Sequence, residues 1–480
     1  MTASTDPSGD TIVAIATPPG TGALAIVRLS GPTALAVADG AFRGRRPLRE
    51  AATHTAHYGR ILQPAAPRGP DGDQVVDDVI ATVFRAPASY TGEDTVEITC
   101  HGSSLVAATV VAALLAHGAR AAEPGEFTRR AFLNGKLDLT QAEAVAEVIQ
   151  SATAAALRGA RNRLDGALGA QVAGVRQRLL ECAARVELEL DFAEEDVELA
   201  PAEEIAARVA ELRGAIAAML ATFRTGRMLR DGVHVVLAGP PNVGKSSLLN
   251  RLAQESRALV TDIPGTTRDV IREDLDIHGV PVRLHDTAGL RVTDETVERL
   301  GVERSIATVA DADLVLFVTA ADEPFPHTAL EQVRGAIADA ARPTAMPESG
   351  TPEVVVIVNK CDLAAASNGT SAPRPALTVS ARNGQGIDAL SRLLVSRTIG
   401  RQGSGYTERS SLVASARHRD NLQRADAALA RAHDAAAAGA GGELVAADLR
   451  AAVSHLEEII GIVADDDVLN RIFAHFCIGK

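Results

Sequence analysis

Lysine is nearly missing from this chain. It occurs only at positions 136, 245, 360 and 480, so arginine supplies the other 44 of the 48 basic residues. In so arginine-biased a sequence, each surviving lysine is a candidate for a position where a compact ammonium cannot be exchanged for a planar guanidinium. Tryptophan is absent and aromatics make up 3%, so cores must be built from Ala, Val, Leu and Ile. The four cysteines, at 100, 182, 361 and 477, show no CxxC spacing. That excludes a zinc ribbon or a disulfide framework and makes a reducing compartment the default. The longest apolar run, about Leu105 to Ala116, falls short of the roughly 20 residues needed to cross a bilayer. The first ten residues carry Asp6 and Asp10 and no basic residue, unlike a secretory leader. The expectation is a soluble cytoplasmic protein with no membrane partner. Positive charge is also short. Lys+Arg total 48 against 61 Asp+Glu, a net charge of −13, so no global positive field holds the chain on DNA or RNA. Any RNA contact must be local or shared with a partner.

With 480 residues, 46% hydrophobic and 23% charged, the chain has a globular composition and a length of about three domains. Residues 1–125 alternate short β-rich runs with turns: Thr11–Ala16, Leu24–Leu29, Val79–Phe84 and Thr95–Thr99. A helical run near Ser104–His117 follows, the pattern of an α+β domain. Pro64–Gly72 reads as a hairpin tip or loop. Residues 126–230 turn to long Ala/Leu/Glu/Arg stretches with helical spacing, as in Leu179, Ala183, Val186 and Leu190. Over 231–400, strands and helices alternate, with apolar runs at Val233–Ala238, Leu314–Val318, Val354–Val358 and Ala376–Val379. This is the pattern of a largely parallel α/β sheet. Helical texture returns over 401–480. The expected fold is multidomain: an N-terminal α+β domain, then a helical domain whose halves, 126–230 and 401–480, flank an inserted mostly parallel α/β domain.

Gly239-Pro-Pro-Asn242-Val243-Gly244-Lys245-Ser246-Ser247 fits the phosphate-binding pattern GxxxxGK[ST] between a strand and a helix. Its amides would wrap the phosphates, Lys245 would reach the β and γ oxygens, and the Ser246 hydroxyl would bind Mg²⁺. Asp286-Thr287-Ala288-Gly289 follows a second strand, offering a carboxylate toward Mg²⁺ and an amide toward the γ-phosphate. Asn359-Lys360-Cys361-Asp362 ends a third. A fixed Asp362 carboxylate can accept from N1–H and the exocyclic amine of guanine together, a donor pair that adenine lacks. Ser380-Ala381-Arg382 closes the fourth, where a backbone N–H could meet guanine O6. Four motifs in this order point to a guanine-nucleotide domain binding GTP. The turn Thr261-Asp262-Ile263-Pro264-Gly265-Thr266-Thr267 lies where a γ-phosphate-sensing switch belongs, with Thr267 as the Mg²⁺ ligand. Leu290 follows Gly289, where Ras-like switches carry the water-orienting glutamine. Hydrolysis must therefore take help from another residue, an ion or a partner.

Taken together, these residues resemble the tRNA uridine-modification GTPase family MnmE (TrmE) along nearly the whole chain. The likeness includes Thr17–Gly20, Val27–Gly31, Tyr90–Asp94, Cys100–Gly102, Pro124–Leu139, the nucleotide motifs and the terminal Cys477-Ile-Gly-Lys480. The resemblance implies that the N-terminal domain is a folate-binding module that also forms a homodimer. It implies a flavoprotein partner, MnmG (GidA), which brings FAD. It further implies that C5 of the wobble uridine of certain tRNAs receives an aminomethyl or carboxymethylaminomethyl group. The carbon comes from a folate, 5,10-methylenetetrahydrofolate or a 5-formyltetrahydrofolate analogue.

By the same resemblance Arg28, Glu97, Lys136 and Lys480 are the folate contacts, with Glu93 in the same stretch as the alternative to Glu97. Asn242, Thr261, Ile263 and Thr266 become ligands of an activating K⁺, and Glu298 the general base acting through a bridging water. Cys477 is a candidate thiol near the modification site, or equally a small apolar residue near the chain end. Arg158, Arg161 and Arg163, with Arg224, Arg227 and Arg230, could meet tRNA phosphates, though solvated helix faces are the simpler reading. The alternative function is a ribosome-assembly GTPase. Such proteins usually add a second nucleotide domain or a basic RNA-binding module, and neither is evident here.

Overall fold

The computed structural model describes residues 9–63, 74–191, 202–258, 272–286, 312–340, 352–363, 376–398, 412–439 and 441–480. The chain divides into two compact units, Met1–Ala146 with Glu457–Lys480, and Glu147–Leu456. The first unit thus runs past the boundary expected at residue 125 and takes in the chain's C-terminal stretch.

In the first unit, seven strands form one sheet: β1 (Ile12–Ile15), β2 (Leu24–Ser30), β3 (Phe42–Gly44), β4 (Thr55–Gln63), β5 (Gln74–Phe84), β6 (Thr95–His101) and β7 (Arg120–Ala121). Their order is β3-β4-β5-β6-β2-β1-β7, antiparallel except for the β1–β7 pair. Successive side chains of a strand point to opposite faces. Val27 and Leu29 therefore go inward with Val96, Ile98, Val79 and Ala81. There they pack with Ala34 and Ala38 of helix α1 (Ala34–Ala41) and Val110 and Leu114 of α2 (Ser104–Ala116). The residues between them, Arg28 and Glu97, share the other face in direct register. Helices α3 (Glu126–Leu133) and α4 (Leu139–Gln150) follow, and the C-terminal helix Asp466–Phe473 packs on α3. Strand β4 and helix α1 go beyond the elements expected from the sequence. The Pro64–Gly72 stretch lies outside the described residues.

One feature of this unit has no local sequence signature. Arg130, 2% exposed, donates to Asp10 Oδ1 (2.5 Å), the Asp10 carbonyl (2.9 Å) and Glu126 (3.0 Å), and meets Glu93 at 3.3 Å. Arg120 bonds Asp10 and Glu126, each at 2.6 Å. Two guanidinium groups and three carboxylates, from four separate segments, thus form one network.

The second unit holds helices α5 (Ala154–Leu164), α6 (Ala167–Asp191), α7 (Ala202–Ala221) and α8 (Phe223–Asp231) before its sheet. The sheet strands are β8 (Val233–Ala238), β9 (Arg257–Ala258), β10 (Arg272–Ile277), β11 (Val280–Asp286), β12 (Leu314–Ala320), β13 (Glu353–Asn359) and β14 (Ala376–Thr378). Between them come α9 (Lys245–Glu255) and α10 (His327–Ala340). After the sheet come α11 (Ile387–Thr398), α12 (Ala416–Ala437) and α13 (Gly442–Ile460). The strand order is β14-β13-β12-β8-β11-β10-β9, and the five strands from β14 to β11 run parallel. Val235 and Leu237 pack into one core and Val236 and Ala238 into another, so β8 is buried on both faces. That accounts for its unbroken apolar run. An antiparallel addition at one edge comes from the β10–β11 hairpin. Its two-residue turn, His278-Gly279, has positive φ at both positions, as a tight hairpin requires. Beyond the sheet the chain returns to the helices that precede it: α12 packs along α7, with Arg213 bonded to Asp426 at 3.0 Å.

Among the described residues no helix is long and apolar enough to cross a membrane, and no cluster of His, Cys, Asp or Glu could hold a metal ion.

Candidate functional site

The parallel strands bring their C-terminal ends to one edge, since Ala238 lies level with Phe317, Leu237 with Asp286 and Ala320 with Asn359. Ligands of open α/β sheets bind beyond this edge. The loop leaving β8 runs over it into α9 and ends at Gly244, whose left-handed φ of 93° suits the residue that starts the helix. A Cβ on Gly244 would lie 2.4 Å from Asn359 Nδ2. Asn242 also holds a positive φ, 64°. Lys245 is buried, and its ammonium donates to the carbonyls of Gly239 (2.8 Å) and Pro240 (2.7 Å). The ammonium is therefore held inside the loop that should receive phosphate, with the amides at the start of α9 and the positive end of its dipole beside it. An anion fits this cradle. Ser246 and Ser247 occupy the first turn of α9.

Asn359 ties the site together. It is 2% exposed, its Nδ2 donates to the Val243 carbonyl at 2.9 Å, and its Oδ1 accepts from the Ala381 amide at 3.0 Å. One side chain thereby fixes the phosphate loop to the loop after β14. Buried Ser380 donates to Asp362 Oδ1 at 2.5 Å and accepts from the Asn383 amide at 3.3 Å. Asp362 is exposed, so its carboxylate is oriented yet open to a ligand. Lys360, at φ 59°, directs its ammonium to Asp322 at 3.4 Å. Asp322 had no motif to mark it. Its signal is its place two residues beyond β12, beside the strand that ends in Asn359. Cys361 is half-buried, its thiol pushed up by burial and by the neighbouring Asp362. Arg382 follows Ala381 on the same loop. The structure thus brings together residues 242–247, 359–362 and 380–382. Thr261, Asp262, Ile263, Pro264, Gly265, Thr266, Thr267, Thr287, Ala288, Gly289 and Glu298 lie outside the described residues, as does the side chain of Asp286 at the end of β11.

In the first unit, Arg28 and Glu97 form a cross-strand ion pair at 2.8 Å. The Arg28 guanidinium also lies over the rings of Tyr90 (5.3 Å) and Phe127 (5.7 Å) and donates to the Gly479 carbonyl at 3.3 Å. The chain terminus is seated here. Gly479, at φ 99°, passes so close to β1 that a Cβ would stand 2.3 Å from the Ile15 carbonyl. The ammonium of Lys480 is depressed from its ordinary value by burial and by Arg28, while Glu97 and the Cys477 thiol oppose the shift. Arg28 and Lys480 thus bring two basic side chains to Glu97. Lys136 is exposed instead, with its ammonium on the Pro87 carbonyl at 3.0 Å. It shares the Pro87–Asp94 loop with Tyr90 but has no described bond to the Arg28 pair. Glu93 faces Ser30 (2.7 Å) and Arg130, so it is Glu97 that pairs with Arg28. Cys477 is exposed and its thiol is free.

Comparison with known proteins decides what this assembly is. Residues 11–136 match the family model described as the GTP-binding protein TrmE N-terminus, and residues 139–477 match the MnmE helical domain. The chain is 45% identical to the tRNA modification GTPase MnmE of Symbiobacterium thermophilum over 98% of this chain and 99% of that one. Against the protein of the same name from Heliobacterium modesticaldum, identity is 43% over 98% and 100%, and against that of Geobacillus kaustophilus 43% over 98% and 99%. The chain belongs to the MnmE family of tRNA modification GTPases. As a member of that family the chain is a GTP hydrolase that acts in tRNA modification. The helical-domain match runs across the whole parallel sheet, from residue 139 to 477.

Proposed function

We propose that this chain is a potassium-activated GTPase which, together with the flavoprotein MnmG (GidA) and its FAD, modifies C5 of the wobble uridine of certain tRNAs in the cytoplasm. The added group is aminomethyl or carboxymethylaminomethyl, and its carbon comes from a folate. The observation that carries this reading is the end-to-end match to MnmE proteins, because it includes the N-terminal and C-terminal stretches as well as the nucleotide motifs. The layout that goes with it is an N-terminal folate and dimerisation domain, a two-part helical domain and an inserted nucleotide domain. Helix α12, after the sheet in sequence, packs along α7, before it, which supports the insertion.

Each site has a division of labour. In the nucleotide domain, the amides of residues 242–247 and the Lys245 ammonium bind the phosphates, Ser246 and Thr267 hold Mg²⁺, and Asp362 reads guanine. Asn242, Thr261, Ile263 and Thr266 hold K⁺, which supplies positive charge to the γ-phosphoryl transition state in place of an arginine finger. Glu298 accepts a proton from the attacking water through a second water, the task that Leu290 cannot perform. In the N-terminal domain, Arg28, Lys136 and Lys480 meet the folate's anionic groups. The two basic side chains gathered at Glu97, Arg28 and Lys480, support that assignment.

The test is GTP turnover in K⁺ and in Na⁺ at matched ionic strength. Wild-type protein should turn over GTP much faster in K⁺, Asn242→Ala should remove the difference, and Glu298→Ala should lower kcat with little change in nucleotide affinity. Equal turnover of wild type in both salts would make a partner-supplied residue the better explanation.

A further inference from the structure

A chain with a net charge of −13 needs a local positive surface to hold RNA, and the arginine clusters at 158–163 and 224–230 are mostly taken up by ion pairs. Arg161 pairs with Asp165 at 2.7 Å, buried Arg163 with Glu147 at 2.6 Å, Arg227 with Asp313, and Arg230 with Asp231 at 2.7 Å. Of that group Arg158 and Arg224 stay exposed without a described ion pair, and they stand on different helices.

The N-terminal unit presents a denser group. Arg43, Arg45, Arg46 and Arg49 follow one another along β3 and the turn beyond it, and all four are exposed. Two carboxylates flank them. Asp39 is turned inward, 13% exposed, where it accepts from the amides of Leu48 (2.5 Å) and Arg49 (3.2 Å) and lies 3.9 Å from the Arg49 guanidinium. Glu50 is exposed at the end of the stretch. Arg45 and Arg46 have no described partner.

The turn is also rigid. Phe42, Leu48 and Ala51 are buried in the core on either side of it. The Arg43 guanidinium caps the end of α1 through the carbonyls of Asp39 (2.9 Å), Gly40 (3.1 Å) and Phe42 (3.0 Å). Arg85 reaches across to the carbonyls of Ala51 (3.0 Å) and Arg49 (2.6 Å). Four guanidinium groups are therefore presented on fixed backbone, so little ordering entropy opposes a contact.

We propose that the Arg43–Arg49 turn is a docking surface for the phosphate backbone of tRNA. The proposal rests on the tRNA-modification reading above and adds to it where the polyanion is held. β3 is an edge strand, and charged side chains on an edge also discourage strand pairing with other chains. Charges of either sign serve that purpose, whereas four exposed arginines against one exposed acid, Glu50, with Asp39 turned inward, suit phosphate.

The test is filter binding of unfractionated tRNA by the full chain over a range of KCl concentrations. The variants are R45S/R46S/R49S and R45K/R46K/R49K. Each lost phosphate contact removes about 0.7–0.9 from the slope of log K against log[salt], so the serine variant should lose roughly 2 from that slope and bind about tenfold or more weakly at low salt. The lysine variant should keep most of both. Thermal unfolding and GTP turnover should not change, since these side chains lie on the surface of the other unit. Unchanged affinity and slope in the serine variant, or wild type that fails to hold tRNA even at low salt, would overturn the proposal. So would a serine variant that binds tRNA normally and loses an acidic protein partner instead. Failure of the tRNA-modification reading shows elsewhere, as an intact wobble uridine in cells lacking the chain.

Discussion

Replacing Arg130 by Met probes the buried charge network that holds α3 and the Glu93 loop against β1. The methionine retains most of the stem's packing but leaves Asp10, Glu93 and Glu126 facing one another with Arg120 as the remaining cation. Removing one partner of a buried ion pair costs about 3–5 kcal/mol. Arg120 still bonds Asp10 and Glu126, so the lower end applies, about 3 kcal/mol. For a unit of this size that lowers Tm by about 6–12 °C. The effect should also depend on pH with a definite sign. Burial raises the carboxyls of Asp10 and Glu126, but hydrogen bonds from Arg120 and Arg130 lower them further, so both sit below their ordinary range. In wild type their stabilisation is present above about pH 4 and is lost as the pH falls through the lowered values. In Arg130→Met the burial stays while one cation goes, so protonation relieves the penalty. The deficit against wild type should be largest at pH 7 and shrink toward pH 4. Thermal unfolding followed by circular dichroism at both pH values measures it. A Tm loss under about 2 °C at pH 7, or a deficit that grows in acid, would refute the reasoning.

Asn359→Ala leaves the buried Val243 carbonyl and the half-buried Ala381 amide without their partner, at about 1–3 kcal/mol for the carbonyl and less for the amide, which water can reach. GDP and GTP affinity should fall together in fluorescent-nucleotide titrations, because both loops of the site loosen, and a loss confined to GTP would contradict this. Lys480→Met should weaken folate binding more than Lys136→Ala does, since Lys480 lies half-buried beside Arg28 and Lys136 is exposed. Both variants should keep wild-type GTP turnover. Wild-type folate affinity in isothermal titration calorimetry would remove these lysines from the site.

How much of this was legible in the sequence follows from how local each signal is. The central strands of the nucleotide sheet announce themselves because both faces of Val233–Ala238 are buried and every residue must be apolar. The phosphate loop and Asn359–Asp362 are legible because their chemistry is concentrated in a few consecutive residues. Strand β4 is harder to see, since its Thr-Ala-His-Tyr-Gly-Arg stretch exposes one face and buries little on the other. The β10–β11 hairpin rests on a His-Gly turn rather than the commoner Asn-Gly. That Arg28 pairs with Glu97 and not with Glu93 follows from strand register, which no local pattern displays. The network around Arg130 joins residues from position 10 to position 130. No spacing rule connects them before the fold exists. The same holds for Arg163 and Arg227, which look like free surface charge in the sequence and are ion-paired in the fold.

Mass spectrometry of tRNA nucleosides from cells lacking this chain measures its function most directly. The C5 group of the wobble uridine should disappear, return with the wild-type chain, and fail to return with Asp362→Asn, whose amide cannot accept both guanine donors. If the wobble uridine keeps its C5 group without the chain, and ribosomal subunit precursors accumulate instead, the chain acts in ribosome assembly and not in tRNA modification.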